Sequence, residues 1–266
     1  MSATLARIVA LAAMTFAALF LLAPLAVIVA ASFSPTPVFD LPLHGASLRW
    51  YAAVGALDGF WPALGLSLEI AALSTLASLV IGTLAALAIT RGYLPGAGAL
   101  AAALVSPLMM PGLVLGVALL QFFRGIGLVS TFPELWLAHL IVTLPYVGRT
   151  MIAALSRFDF ALIDAARTLG CNFPAAIGRV LVPALAPAYL TASLFSFLAS
   201  MDNYPVSIFL TDARAKTLPI KMLQYIEESP DPTIAALSTL ILLATLALLL
   251  IADRAVGLHR LAGLAE

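Results

Sequence analysis

Arg157–Pro183 reads RFDFALIDAARTLGCNFPAAIGRVLVP and stands between two strongly apolar runs. It brings a repeated supply of charge: Arg157, Asp159, Asp164, Arg167 and Arg179. Phe158, Leu162, Ala165 and Leu169 recur at helical spacing, with Asp159, Asp164 and Arg167 off that face, so an amphipathic helix is predicted. Gly170 predicts its end, because glycine takes the left-handed conformation after a helix without a Cβ penalty. Asn172 followed by Pro174 predicts a cap and the first turn of a second short helix, over about Phe173–Arg179. Pro183 opens the next apolar run. Two short helices meeting at a glycine corner are therefore expected, wedged between membrane spans.

On either side the composition leaves little choice of solvent. A mean hydropathy of +1.10, with 63% hydrophobic and 10% charged residues, exceeds what one soluble core could bury. An all-α membrane protein with six transmembrane helices is predicted, its spans over 8–31, 63–90, 98–123, 135–155, 184–204 and 233–252. Each run is long enough to cross a hydrocarbon core of roughly 30 Å. The first run competes with a signal peptide, since Val29-Ala30-Ala31 resembles a cleavage site, but it outruns an apolar region of about 7–15 residues and is read as a retained span. Pro107 and Pro111 predict a kink or break in the third span, where Gly112 and Gly116 permit close helix packing. Ser32–Pro62 reads as a polar loop with a short amphipathic piece near 48–57, and Trp50, Tyr51 and Trp61 as interfacial aromatics. Val206–Pro232 reads as a second polar loop.

Six spans place both termini on one side. With the termini inside, the inner segments hold eight Lys and Arg and the outer ones five, so 157–183 faces the cytoplasm. The basic residues are scattered, which argues against a nucleic-acid partner and leaves the lipid bilayer. No phosphate-cradling GxxxxGK[ST] and no GxSxG nucleophile elbow occur. His44, His139 and His259 have no second ligand at metal spacing, and His139 reads as a hydrogen-bonded packing residue. Cys171, the one cysteine, reads as a small packing residue. The chain is not expected to be an enzyme or to bind a cofactor or metal of its own.

Asp164-Ala165-Ala166, Gly170 four positions later, and Val180-Leu181-Val182-Pro183 have the spelling of the EAA loop of binding-protein-dependent ABC import permeases. Asp164 stands where that pattern has Glu, and Val182 where it has Leu. The chain resembles this family over nearly its whole length, and the spermidine/putrescine-type permeases in particular. The resemblance implies the type I ABC importer permease (MetI-like) fold in a prokaryotic inner membrane. It implies a coupling helix over Phe173, Pro174 and Arg179, bounded by Pro183 and seated on a separate ATPase that uses ATP and Mg. A second homologous permease, two ATP-binding subunits and an external solute-binding protein are the implied partners, and a small organic cation such as a polyamine the implied cargo.

Ionisable groups inside spans cost on the order of 3 kcal/mol each at mid-membrane, so those present invite a function. Glu69 lies toward the outer end of the second span and Asp202, with Asn203, toward the outer end of the fifth. Both suit a path for a cation, and both also suit a hydrated interface. The spermidine/putrescine-type resemblance implies an acidic residue at the Asp202 position. Tyr146 beside Pro145 is a further candidate for the path. Cargoes such as another amine, an amino acid derivative or a phosphonate fit the same assembly. A secondary transporter would need internal repeats and a midplane ion site, and an intramembrane enzyme a paired nucleophile and base; neither is spelled out.

Overall fold

The computed structural model describes residues 3–37, 45–92, 94–229 and 231–256. His44, His259 and the tail after residue 256 lie outside the described residues. Among those described, every regular element is helical. In order they are α1 Ala3–Ser32, α2 Arg49–Ala56, α3 Phe60–Thr90, α4 Ala97–Val105, α5 Gly112–Gly125, α6 Thr131–Leu155, α7 Ala161–Thr168, α8 Phe173–Ala176, α9 Val182–Ala184, α10 Ala186–Met201, α11 Tyr204–Leu210, α12 Leu218–Glu228 and α13 Thr233–Val256. Four stretches are long and apolar enough to cross a bilayer unaided: Arg7–Ser32, Phe60–Thr90, Thr131–Leu155 and Thr233–Arg254. Two bent pairs raise the number to six if each pair is one span.

The first bent pair joins Ala97–Met109 to Gly112–Gly125 at 110°. Prolines cause it. Pro107 starts a 3-10 turn over Ser106–Met109, and Pro111 pushes Met110 into extended backbone, with ψ 138°. The result is sharper than a kink, and α5, at 14 residues, covers only about 21 Å. The second pair joins Phe173–Ala184 to Ala186–Met201 at 76°.

The chain divides into two compact units, Met1–Phe60 with Met222–Leu248 and Trp61–Lys221 with Leu249–Glu266. In the first, α2 is tied to the end of α1. Trp50 Nε1 donates to the Ser34 carbonyl at 2.7 Å, and the Tyr51 and Ser32 hydroxyls are 2.7 Å apart. Two of the three aromatics expected at the lipid interface are thus engaged within their own loop, and Trp61 remains exposed.

In the second unit α6 is the hub, held by polar contacts along its length. Thr131 donates to Asp212, Arg124 pairs with Glu134 at 3.2 Å, Ser74 donates to the Trp136 carbonyl, and the Ser78 and Thr143 hydroxyls are 2.7 Å apart. Glu134, one residue before the expected span 135–155, lies in the first turn of α6 and is buried. The expected loop 206–232 also contains structure. It is largely α11 and α12, because Asn203 caps α11 and apolar Tyr204–Leu210 packs inward. Asp212 turns the chain between them, accepting from the backbone of Arg214 and Ala215. The Thr131 hydroxyl and those two amides hold the Asp212 carboxyl below its ordinary range.

A candidate coupling segment and solute path

α6 stops at Leu155, and a tight turn leads to α7. Asp159 Oδ1 accepts from Ala161 N–H at 2.9 Å, an Asx cap that starts the helix there and not at Phe158. At the far end Gly170 adopts φ +95°. Its N–H bonds to the Arg167 carbonyl and that of Cys171 to the Ala166 carbonyl, the paired bonds of a Schellman ending. Asn172 then caps α8, its Oδ1 accepting from Ala175 N–H at 2.9 Å, with Pro174 in the first turn. The glycine ending of α7 and the Asn172 cap of α8 match the reading of the sequence, and the start of α7 at Ala161 does not.

Two features differ. The short helix does not stop near Arg179 at a boundary set by Pro183. It runs on from Phe173 to Ala184 through a π-turn over Ile177–Leu181, and the break falls at Leu185. Pro183 cannot donate to the turn before it, and the ladder ahead of it widens accordingly. The buried face of α7 is also another one. Ile163 is 1% exposed and packs with Ala176, Leu181, Met151 and Leu155, and Ala166 is half-buried against them. Leu162 and Leu169, on the apolar face that the spacing predicts, are 49% and 86% exposed, and Phe173 is 44% exposed. Asp164, Ala165, Pro174, Arg179 and Pro183 are exposed too. The segment therefore holds the membrane helices with one apolar stripe and presents a second to the outside. Cys171 packs at the edge of the inner cluster, as a small core residue does.

Asp202 is the exposed C-cap that follows α10, and Glu69 is exposed on α3; neither makes an ion pair among the described residues. Asn203, 9% exposed, accepts from Val206 N–H with its side chain and from the Ser207 hydroxyl with its carbonyl. Tyr146 lies seven residues beyond His139 on α6, about 10 Å along the axis. It lines an open cavity of about 470 Å³ with Leu108, Arg149, Thr150 and Phe195.

His139 itself is 2% exposed, with Nδ1 2.7 Å from the Ser200 hydroxyl and Nε2 3.0 Å from that of Ser207. The single hydrogen of Ser207 is directed at the Asn203 carbonyl, so Nε2 is the protonated nitrogen and Nδ1 accepts from Ser200. Both ring nitrogens are satisfied by side chains, as a packing histidine requires. No group of three potential ligands able to hold a metal occurs among the described residues.

Residues 78–260 match the family model for the binding-protein-dependent transport system inner membrane component. The chain is 29% identical over 234 residues to the spermidine/putrescine transport system permease protein PotC of Haemophilus influenzae, covering 88% of this chain and 91% of that one. It is 31% identical over 230 residues to the putrescine transport system permease protein PotI of Escherichia coli K12, covering 84% and 82%. Its fold is similar to that of a bacterial alginate ABC transporter solved in complex with an alginate pentasaccharide-bound periplasmic protein. There the TM-score is 0.69 at 16% identity, over 94% of this chain and 93% of that one.

Proposed function

The chain belongs to the binding-protein-dependent transport system inner membrane component family, and from that premise we propose that it is the permease subunit of an ATP-driven polyamine importer. It supplies half of the translocation path and leaves ATP hydrolysis, with its Mg, to two separate ATP-binding subunits. A second similar permease completes the path, and a solute-binding protein delivers cargo to the outer face. Both termini and the segment 157–183 are cytoplasmic.

One observation carries the coupling role: Leu162, Leu169 and Phe173 stay exposed around a glycine corner whose other side is packed into the membrane helices. Apolar side chains gathered on a polar loop invite a protein partner. The similarity to PotC and PotI supports a polyamine cargo, and the exposed carboxylates of Glu69 and Asp202 suit a cation. One feature favours a second reading, a cargo with an anionic group such as an amino acid derivative or a phosphonate: Arg149 shares the Tyr146 cavity.

Docking is tested by purifying the assembled transporter through a tag on this chain. Leu169→Asp is expected to cut the retained ATPase at least tenfold at an unchanged yield of monodisperse permease. Retention at the wild-type level overturns the docking role. Cargo is tested by thermal shift of the partner solute-binding protein. Putrescine or spermidine is expected to raise its melting temperature, and a shift with methylphosphonate alone reverses the cargo assignment.

A further inference from the structure

Arg91 follows the last residue of α3, and its backbone N–H still bonds to the Leu87 carbonyl. Its guanidinium carbon lies 4.4 Å from the centroid of the Phe160 ring. Phe160 immediately precedes α7, and its carbonyl accepts the first helical bonds, from Ile163 at 2.9 Å and Asp164 at 3.3 Å. The other side of the aromatic pair is Phe158, edge-on to Phe160 with centroids 5.2 Å apart and planes at 82°. Behind them, Ala86 of α3 lies in the same buried cluster as Met151, Leu155 and Ile163. Higher up, Gly82 lets α3 approach α6: a Cβ there would fall 2.8 Å from Val147 Cγ1.

We infer that Arg91 is a positioning residue for energy coupling, a cation–π clamp that makes α3 a third anchor of the coupling segment, beside the two helices that join it covalently. The chemistry favours an arginine. Its planar guanidinium stacks on a ring and keeps its charge when partly desolvated. Because the Phe160 carbonyl nucleates α7, holding the Phe160 ring fixes the first turn on which Asp164 sits. A push on α7 then reaches α3 directly, without passing around the loop.

This inference rests on the importer reading and is tested within the whole transporter, reconstituted with its ATPase and solute-binding subunits in proteoliposomes. The quantity read is ATP hydrolysed per putrescine taken up. Arg91→Ala is expected to raise it about fivefold while the ATPase subunit is retained at the wild-type level. Arg91→Lys restores at least half of the loss, because charge over the ring is kept. Phe160→Leu reproduces the alanine effect, and Arg91→Ala with Phe160→Leu is no worse than either alone. An unchanged ratio in Arg91→Ala, or single effects that multiply in the double variant, overturns the clamp. Loss of retained ATPase in Arg91→Ala also overturns it, since that marks a docking or folding role. If the wild type retains its ATPase but moves no putrescine, the cargo assignment has failed. The same variants are then compared in the basal ATPase rate of the complex, which a loosened clamp changes at least threefold and an idle contact leaves alone.

Discussion

Gly170→Val lowers ATP-driven uptake at least tenfold and leaves the membrane helices inserted. The cause is conformational, because a Cβ at this position meets nothing within 4 Å. What valine cannot do is adopt φ +95°, where a side chain collides with its own backbone and β-branching makes the collision worse. A strain of about 1–3 kcal/mol is relieved most cheaply by releasing the bonds from Gly170 to Arg167 and from Cys171 to Ala166. Those bonds set the angle between α7 and α8, so relief swings Phe173 and Leu169 away from each other and splits the exposed apolar tip. Inserted protein is measured by membrane fractionation and uptake in proteoliposomes. Asn tolerates positive φ better than any β-branched residue, so Gly170→Asn retains most of the activity. Gly178→Ala serves as the comparison: that glycine is equally open but has no positive φ, and its replacement leaves uptake unchanged. Wild-type uptake by Gly170→Val would remove the corner from the mechanism.

The corner could be read in advance because its chemistry is local. A glycine with an Asn two residues later dictates backbone geometry wherever it occurs, and both caps formed at the expected residues. The face of α7 could not be read the same way. Hydrophobic periodicity marks which side chains avoid water, and it does not say whether this chain or a foreign subunit covers them. Leu162 and Leu169 lie on the apolar face that the spacing predicts and stay exposed, while Ile163 carries the burial. The helix also starts three residues later than its apolar spacing implied, because Asp159 caps Ala161. Glu134 was also misplaced. It falls just before the span expected to begin at residue 135, and in the structure it sits buried in the first turn of α6 beside Arg124 from the end of α5. The Arg91–Phe160 contact joins residues far apart in sequence, and no local pattern announces it.

The packing of α5 on α11 gives the other large effect, since here the obstacle is backbone. Pro107 and Pro111 turn the chain by 110° so that α5 lies along Tyr204–Leu210, and Gly112 and Gly116 face that helix. A Cβ on Gly116 would fall 2.7 Å from Phe209 Cδ2, 3.0 Å from the Pro205 carbonyl oxygen and 3.1 Å from Val206 Cα. On Gly112 it would fall 2.8 Å from Pro205 Cβ, an atom held in a ring. Gly116→Ala therefore forces the helices apart or bends one of them, at about 3 kcal/mol, lowering the melting temperature in detergent by on the order of 10 °C. Gly65→Ala has the opposite sign. That glycine lies inside α3 with nothing within 4 Å of a Cβ, so alanine there gains up to about 1 kcal/mol of helix propensity. Trimming the neighbour separates steric from backbone causes. Phe209→Ala removes the closest of the three atoms and leaves the Pro205 carbonyl and Val206 Cα in place, so Gly116→Ala with Phe209→Ala recovers little of the loss. Full recovery in that double variant would mean that the helices have room to give, and the small residues would then be a convenience of the crossing and not its cause.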